Sequence, residues 1–156
     1  MIALEIPGMG TVTLKHLLLD VNGTLSLDGV LLEGVAERLG KLSDELSVHL
    51  VTADTRGTAR EMADRLGVDC LKLRRGQEAE QKKVYVETYD PQYVVAVGNG
   101  SNDALMLSAA RVGIIVMGPE GTSTSAFAQA DVATASIGDA LDLLLEPKRL
   151  LATLRR

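Results

Sequence analysis

Three times in this chain a short apolar run stops in a polar loop, and that pattern limits the fold more than any other. Leu17-Leu18-Leu19 ends in Asp20-Val21-Asn22-Gly23-Thr24. Residues 47–51 end in Thr52-Ala53-Asp54-Thr55, and residues 93–97 in Gly98-Asn99-Gly100-Ser101-Asn102-Asp103. Apolar runs bounded in this way read as strands buried on both faces. Helical spacing fills the gaps between them. Val35, Leu39, Leu42 and Leu46 share one helical face, and Ala79, Lys82, Tyr85, Val86 and Tyr89 share another within 77–89. Strands alternating with helices predict an α/β chain with a central parallel sheet, helices on both faces, in three Rossmann-like α/β/α layers. Loops at the carboxyl ends of parallel strands emerge on one edge, where ligands bind. Taken alone, DVNGT also fits a plain turn, since Asn-Gly is a hairpin signal. Its company makes it a site.

The remaining segments fit one domain over residues 1–156, with no linker or repeat. Ile2, Leu4 and Ile6, then Val12 and Leu14, alternate with polar residues around Pro7-Gly8-Met9-Gly10. This predicts an N-terminal β-hairpin over 1–15 that extends the sheet, forms a subunit contact or simply lies at an edge. Residues 24–32, folded around Asp28-Gly29, predict a small flap over the mouth of the sheet, and that turn role accounts for Asp28 better than catalysis does. A helix over 58–66 closed by Gly67, a strand over 68–73, a helix over 104–110 and a strand over 112–117 follow. Gly118-Pro119-Glu120-Gly121 is a turn, then a helix over 122–130, a strand at 132–133 and a last helix over 137–145. Pro147 interrupts that helix before a basic tail, residues 148–156, whose charge complements the helix end.

Composition narrows the function classes. Apolar residues make up 46% of the 156, enough for a core, with Leu, Val, Ile and Ala doing the packing because aromatics are only 3%. A net charge of −5 argues against general affinity for nucleic acid or an anionic membrane. No apolar run is long enough to span a bilayer, and the first residues lack the basic-then-apolar pattern of a signal peptide. The single cysteine, Cys70, excludes an internal disulfide framework and fits a reducing compartment. A cytoplasmic location is the expectation. His16 and His49 sit in or beside strands, away from the loop ends, and read as structural. Arg56, Arg74 and Arg75 are either contacts for an anionic substrate or solvated and subunit-contact residues.

Convergence of the three loops and the 77–89 helix would gather Asp20, Asp103, Thr52, Lys82 and the amides of Asn22, Asn99 and Asn102. Carboxylates with carbonyl oxygens suit a hard cation such as Mg²⁺. A lysine, a hydroxyl and backbone N–H groups suit a phosphoryl group. An aspartate set against both is a candidate nucleophile.

In these residues the chain resembles the haloacid dehalogenase (HAD) superfamily of phosphoryl-transfer enzymes, over nearly all of residues 17–145. That family's first motif is a strand followed by D-x-D-G-T, and Asp20-Val21-Asn22-Gly23-Thr24 stands in its place. Thr52 matches the Ser or Thr that ends the second strand, Lys82 the lysine before the fourth, and Gly98 to Asp103 the acidic loop, often G-D-G-x-N-D. Ala130 to Ala135, Val112-Gly113-Ile114 and Met117-Gly118 also resemble the phosphorylation domain of P-type ATPases. The resemblance implies a HAD-like hydrolase domain in which Asp20 attacks phosphorus and binds Mg²⁺, and the carbonyl of Asn22 is a second ligand. Asn99 and Asp103 hold the metal directly or through water. Thr52 binds the phosphoryl oxygens, Lys82 neutralises charge, and Gly23, Ala53 and Asn102 complete the phosphate contacts. Lys82 is preferred to Lys83 because its apolar neighbours at +3, +4 and +7 fit a buried helix side.

Two departures from that family stand out. Its phosphatases carry a general acid and base where this chain has Asn22, and an aspartate where it has Asn99. An amide does no acid–base work, which is worth roughly 10²–10⁴ in rate. The resemblance therefore implies either a slow phosphatase of small phosphorylated substrates or a degenerate relative that binds Mg²⁺, phosphate or a partner without efficient turnover. A plain Rossmann nucleotide binder fits less well, because no G-x-G-x-x-G follows the first strand. Neither gap between motifs holds a cap or a nucleotide-binding domain, so an ATPase is not expected. Capless members use a neighbouring subunit as a lid or act on large substrates, which implies a homo-oligomer, a tetramer by analogy with the capless sugar-acid phosphatases.

Overall fold

In the computed structural model, which describes residues 1–54 and 57–156, the three apolar runs lie side by side. They are β3 (His16–Asp20), β6 (Ser47–Thr52) and β8 (Val94–Gly98). With β7 (Asp69–Lys72), β9 (Val112–Val116) and β10 (Val132–Thr134) they form a six-stranded sheet in the order β10-β9-β8-β3-β6-β7. Every neighbouring pair is parallel. Period-two side-chain direction divides each apolar run between two cores. Leu17 and Leu19 of β3, Val95 and Val97 of β8, and Val112 and Ile114 of β9 enter one cluster, whereas Leu18, Val94, Ala96 and Ile115 enter the other. The runs are continuous in sequence because both faces need apolar side chains.

The first core is closed by α1 (Val35–Ser43), α2 (Thr58–Leu66) and α6 (Ile137–Leu145), through residues such as Leu39, Ala63 and Leu141. The second is closed by α3 (Glu78–Thr88), α4 (Ala104–Ala109) and α5 (Thr124–Phe127), through Val86, Met106, Leu107 and Ala126. The flap is a two-residue-turn ribbon of β4 (Ser26–Leu27) and β5 (Val30–Leu31), with Asp28 and Gly29 both at positive φ as its turn type requires.

The expected N-terminal hairpin is present as β1 (Ile2–Ile6) and β2 (Gly10–Leu14), and of the placements open to it, extension of the main sheet does not occur, since it forms its own two-stranded sheet. Its apolar face is buried within the chain, since Ile6, Val12 and Leu14 belong to the first core. The basic tail expected after Pro147 needs correction in its backbone alone: it is helical, α7 (Pro147–Leu154), while Lys148, Arg149, Arg155 and Arg156 are exposed. Pro147 opens this helix at a position where a missing N–H costs nothing. Leu150 and Leu154 are buried on one of its faces, and the Arg156 N–H donates to Pro7 O at 2.9 Å, tying the tail to the hairpin. The helix expected over 122–130 is only α5. The chain must extend again by Asp131, whose Oδ2 accepts the Gly113 N–H at 2.8 Å and leads into β10.

Candidate active site

Three of the candidate residues are placed by strand ends. Asp20 is the last residue of β3, Thr52 the last of β6, and Asn99 follows Gly98, the last of β8. The chain leaves β3 toward β6 and β7, then returns to β8 on the other side. The gap between β3 and β8 is therefore the topological switch point, where neighbouring loops part and leave a crevice. A cleft of about 1010 Å³ opens there, lined by Asp20, Asn22, Thr52, Lys82 and Asn99 among others.

Lys82 reaches this point from α3. Its Nζ donates to Asp20 Oδ1 at 2.7 Å and to Asp103 Oδ1 at 2.6 Å. The side chain is only 1% exposed and Asp103 is 0% exposed. An ammonium buried this deeply persists only where carboxylates offset its lost hydration. Asp103 is itself fixed from behind, because its Oδ2 accepts the N–H groups of Asn99 at 3.0 Å and Gly100 at 2.9 Å. Gly98 is a glycine for the same reason: a Cβ there would collide with the Asp103 carboxylate. Asp20 turns its second oxygen the other way. Thr24 Oγ1 lies 3.0 Å from Asp20 Oδ2 and 3.1 Å from Asn99 Oδ1. One hydroxyl proton thus faces two acceptor oxygens.

Burial pushes the Asp20 carboxyl up from 3.8 to about 6, with the Asp103 charge adding to it and Lys82 and Thr24 opposing. Burial also pulls Lys82 down, but the two carboxylates outweigh it and the net direction is upward. The two shifts point different ways about the same ion pair. Two carboxylates share one ammonium here, so the lysine stays firmly charged while Asp20 remains short of countercharge.

Most of the expected site residues line the cleft: Asp20, Asn22, Thr52, Ala53, Lys82, Asn99 and Asn102. Thr52 Oγ1 accepts the Asp54 N–H at 3.0 Å, leaving its proton to donate into the cleft. Two residues are placed differently. Gly23, expected among the phosphate contacts, is buried behind the lining, and its N–H donates to Ser26 O at 2.8 Å. It serves the turn, at φ +79°. Asp103, expected as a metal ligand, has both oxygens engaged and does not reach the cleft wall. Lys83 is exposed and pairs with Glu87. Arg74 and Arg75 do not line the cleft, and Thr55 and Arg56 lie outside the described residues. Glu78 and Glu120 do line it. Neither carried a sequence signal, one lying in the first turn of a helix and the other in a turn.

The donor set is suited to a hard cation on the chemistry of its atoms. Asp20 Oδ2 and Asn99 Oδ1 converge on the single Thr24 hydroxyl, and two oxygens that share one proton leave lone pairs for a cation. Among the described residues no three His, Cys, Asp or Glu side chains gather closely enough to hold a metal by themselves. A cation here would depend on amide and backbone carbonyl oxygens beside Asp20. Among the described residues no helix is long and apolar enough to cross a membrane.

No family model matches the chain. An uncharacterised protein of Methanocaldococcus jannaschii is 47% identical over 62 residues, covering 40% of this chain and 67% of that one. A zinc-exporting P-type ATPase of Mycobacterium marinum is 38% identical over 141 residues, 86% of this chain but only 19% of the ATPase. Among solved structures, 3-deoxy-D-manno-octulosonate 8-phosphate phosphatase from Moraxella catarrhalis, in complex with magnesium ion, phosphate ion and KDO, superposes with a TM-score of 0.69. The match covers 91% of this chain and 94% of that one at 17% identity. The chain thus belongs to one family with the M. jannaschii protein, and its fold is the capless haloacid dehalogenase-like fold.

Proposed function

We propose that this chain is a Mg²⁺-dependent phosphohydrolase that works through a phosphoryl-aspartate on Asp20. The observation that carries this reading is the Lys82 ammonium held between Asp20 and Asp103 at the switch point of the sheet. An Asp20 carboxylate oxygen attacks phosphorus and the bond from phosphorus to the alcohol oxygen breaks. The electron pair leaves with that oxygen, which takes its proton from solvent because Asn22 has none to give. Water then attacks the acyl phosphate, loses its proton to solvent, and releases inorganic phosphate with the carboxylate restored. The Thr52 hydroxyl donates to a phosphoryl oxygen, Asn102 and Ala53 flank it, and Lys82 offsets charge on nucleophile and phosphate. Asp103 acts through Lys82 by holding the ammonium in place. Asp20, the Asn22 carbonyl and Asn99 would hold Mg²⁺, which when bound would supply positive charge to offset that of the phosphoryl group.

Incubation with Mg²⁺ and a panel of phosphomonoesters tests this. Phosphate release is expected from the unmodified chain and not from Asp20→Ala; release that survives the substitution refutes the nucleophile. The absent acid and base set the expected rate roughly 10²–10⁴ below that of a phosphatase carrying both. Among the described residues no cap domain covers the cleft, so further copies of the chain acting as a lid, as a tetramer, are part of the proposal. Light scattering checks that.

Asn22 and Asn99 also favour a second reading, a protein that binds Mg²⁺ and phosphate without turnover. It predicts beryllofluoride binding, no phosphate release, and activity gained in Asn22→Asp. Turnover near an ordinary enzyme rate of about 10 s⁻¹ would end it.

A further inference from the structure

The cation site just described is poor in charge. Its one carboxylate, Asp20, already shares its charge with Lys82 at 2.7 Å. Asn99 and the Asn22 carbonyl are neutral. Mg²⁺ in proteins is held by one or two carboxylates with water and substrate oxygens making up the rest, and it dehydrates reluctantly. A single half-neutralised carboxylate is therefore a weak holder. We infer that Glu120 is a ligand of this same cation and returns the negative charge that Asn99 lacks. The inference rests on the phosphohydrolase reading of the cleft.

The geometry is local and specific. Glu120 lines the same cleft as Asp20 and Asn22. A Cβ built on Gly23 would run into the Glu120 carboxylate and would stand 2.9 Å from Asn99 Nδ2, so the two side chains crowd one point beside the nucleophile loop. Asn99 in turn meets Asp20 through the Thr24 hydroxyl. Glu120 makes no hydrogen bond or ion pair with any described residue, so its oxygens are free to ligate. The turn that carries it is fixed. Gly121 N–H donates to Gly118 O at 3.0 Å, Thr122 Oγ1 donates to Val116 O at 2.8 Å, and Ser123 N–H donates to Asn99 O at 3.0 Å. Asn99 Nδ2 donates to Gly121 O at 3.3 Å, which ties the turn to the very side chain whose charge is missing. Holding Glu120 by backbone bonds on either side lowers the entropy cost of ligation. Of the other carboxylates on the cleft wall, Glu78 accepts from Asn102 Nδ2 at 3.3 Å, Asp54 accepts from the Thr58 hydroxyl and the Ala59 N–H at 2.8 Å each, and Asp28 sits in the flap turn.

The test reads cation affinity directly, with Mn²⁺ followed by electron paramagnetic resonance and Mg²⁺ by calorimetry. Glu120→Gln keeps the shape of an exposed turn residue and should fold like the unmodified chain. It is expected to weaken Mn²⁺ binding by about 10–100-fold. Asn99→Asp placed in the Glu120→Gln background should recover most of that loss, because it returns the same charge to the same point. Unchanged affinity in Glu120→Gln, with binding still abolished by Asp20→Asn, overturns this inference and leaves the phosphohydrolase reading standing. No cation binding by the unmodified chain brings down that reading itself. Unchanged affinity with a lost limb of the pH–rate profile would make Glu120 an acid or base, which also overturns its place as a ligand.

Discussion

The two ends of β3 and β6 bury polar groups in opposite ways. At the carboxyl end Asp20 and Asp103 share the Lys82 ammonium, and all three are screened from water. At the amino end His16 Nδ1 lies 3.3 Å from His49 Nε2, and Tyr89 stacks on both rings with centroids 4.7 and 4.4 Å away. Burial there lowers the pKa of both histidines. One end keeps buried groups charged by pairing them, the other keeps them neutral by desolvation. The first arrangement suits a site that must meet a phosphoryl group; the second is packing, joining α3 to the base of the sheet.

Removing the lysine should separate the two ends most sharply. Lys82→Met leaves two buried carboxylates without countercharge, and breaking a buried pair in this way costs about 3–5 kcal/mol. Chemical denaturation at pH 7 measures it, and Asp103→Asn added to Lys82→Met should return part of the loss. A cost no larger than that of an exposed substitution would mean that the cleft end is not the charged end at all.

A smaller effect of opposite sign is expected from Asp20→Asn in chelated protein. The folded pKa lies above the unfolded one, so the folded chain keeps a proton that the unfolded chain releases. Stability contributed by this group is therefore lost as pH rises from 3.8 to about 6. Asp20→Asn removes that loss: its melting temperature should exceed that of the unmodified chain at pH 7, with the gap closing below pH 4 (the ordinary Asp range is about 3.9). A carboxylate that destabilises its own fold is what a site built for charge would show. The amino end should respond in the reverse sense. His49 has a folded pKa below its ordinary 6.5, through burial first, with Asp69 opposing. The unfolded chain takes the proton first on acidification, so stability is full above about 6.5 and is lost as pH falls. Melting temperatures from pH 8 to 5 should fall less steeply in His49→Gln, whatever that change costs at pH 8.

Much of this was legible because strand ends carry position. Once Leu17-Leu18-Leu19, residues 47–51 and residues 93–97 are strands of one parallel sheet, Asp20, Thr52 and Asn99 must share an edge, and they do. Lys82 was legible from three apolar neighbours on an otherwise charged helix. Asp103 was found, but not what it touches: G-N-G-S-N-D does not say that the Asn99 and Gly100 N–H groups fill one of its oxygens. Glu120 was invisible, since its meaning comes from Gly23, nearly a hundred residues earlier and brought near only by the crossovers of the sheet. α7 is hidden in the sequence because Pro147 reads as a breaker, whereas its place at the first turn makes it a starter.

The smallest expected effect bears on the same comparison within a single helix. Lys83 follows Lys82 in sequence, yet about 100° of helical rotation carries its ammonium from the buried face to water. There it pairs with Glu87 at 3.5 Å, with about half of each side chain exposed. An exposed i,i+4 pair contributes about 0.3–0.5 kcal/mol. Lys83→Met should therefore lower stability by no more than about 0.5 kcal/mol, leave Mn²⁺ affinity unchanged and leave phosphate release as it was. The contrast with Lys82→Met isolates position from chemistry, because the same side chain is removed from the same helix one residue away. If the two substitutions cost the same, the burial of Lys82 between Asp20 and Asp103 is not what holds the cleft together, and the distinction between the charged and the neutral end of the sheet loses its physical basis.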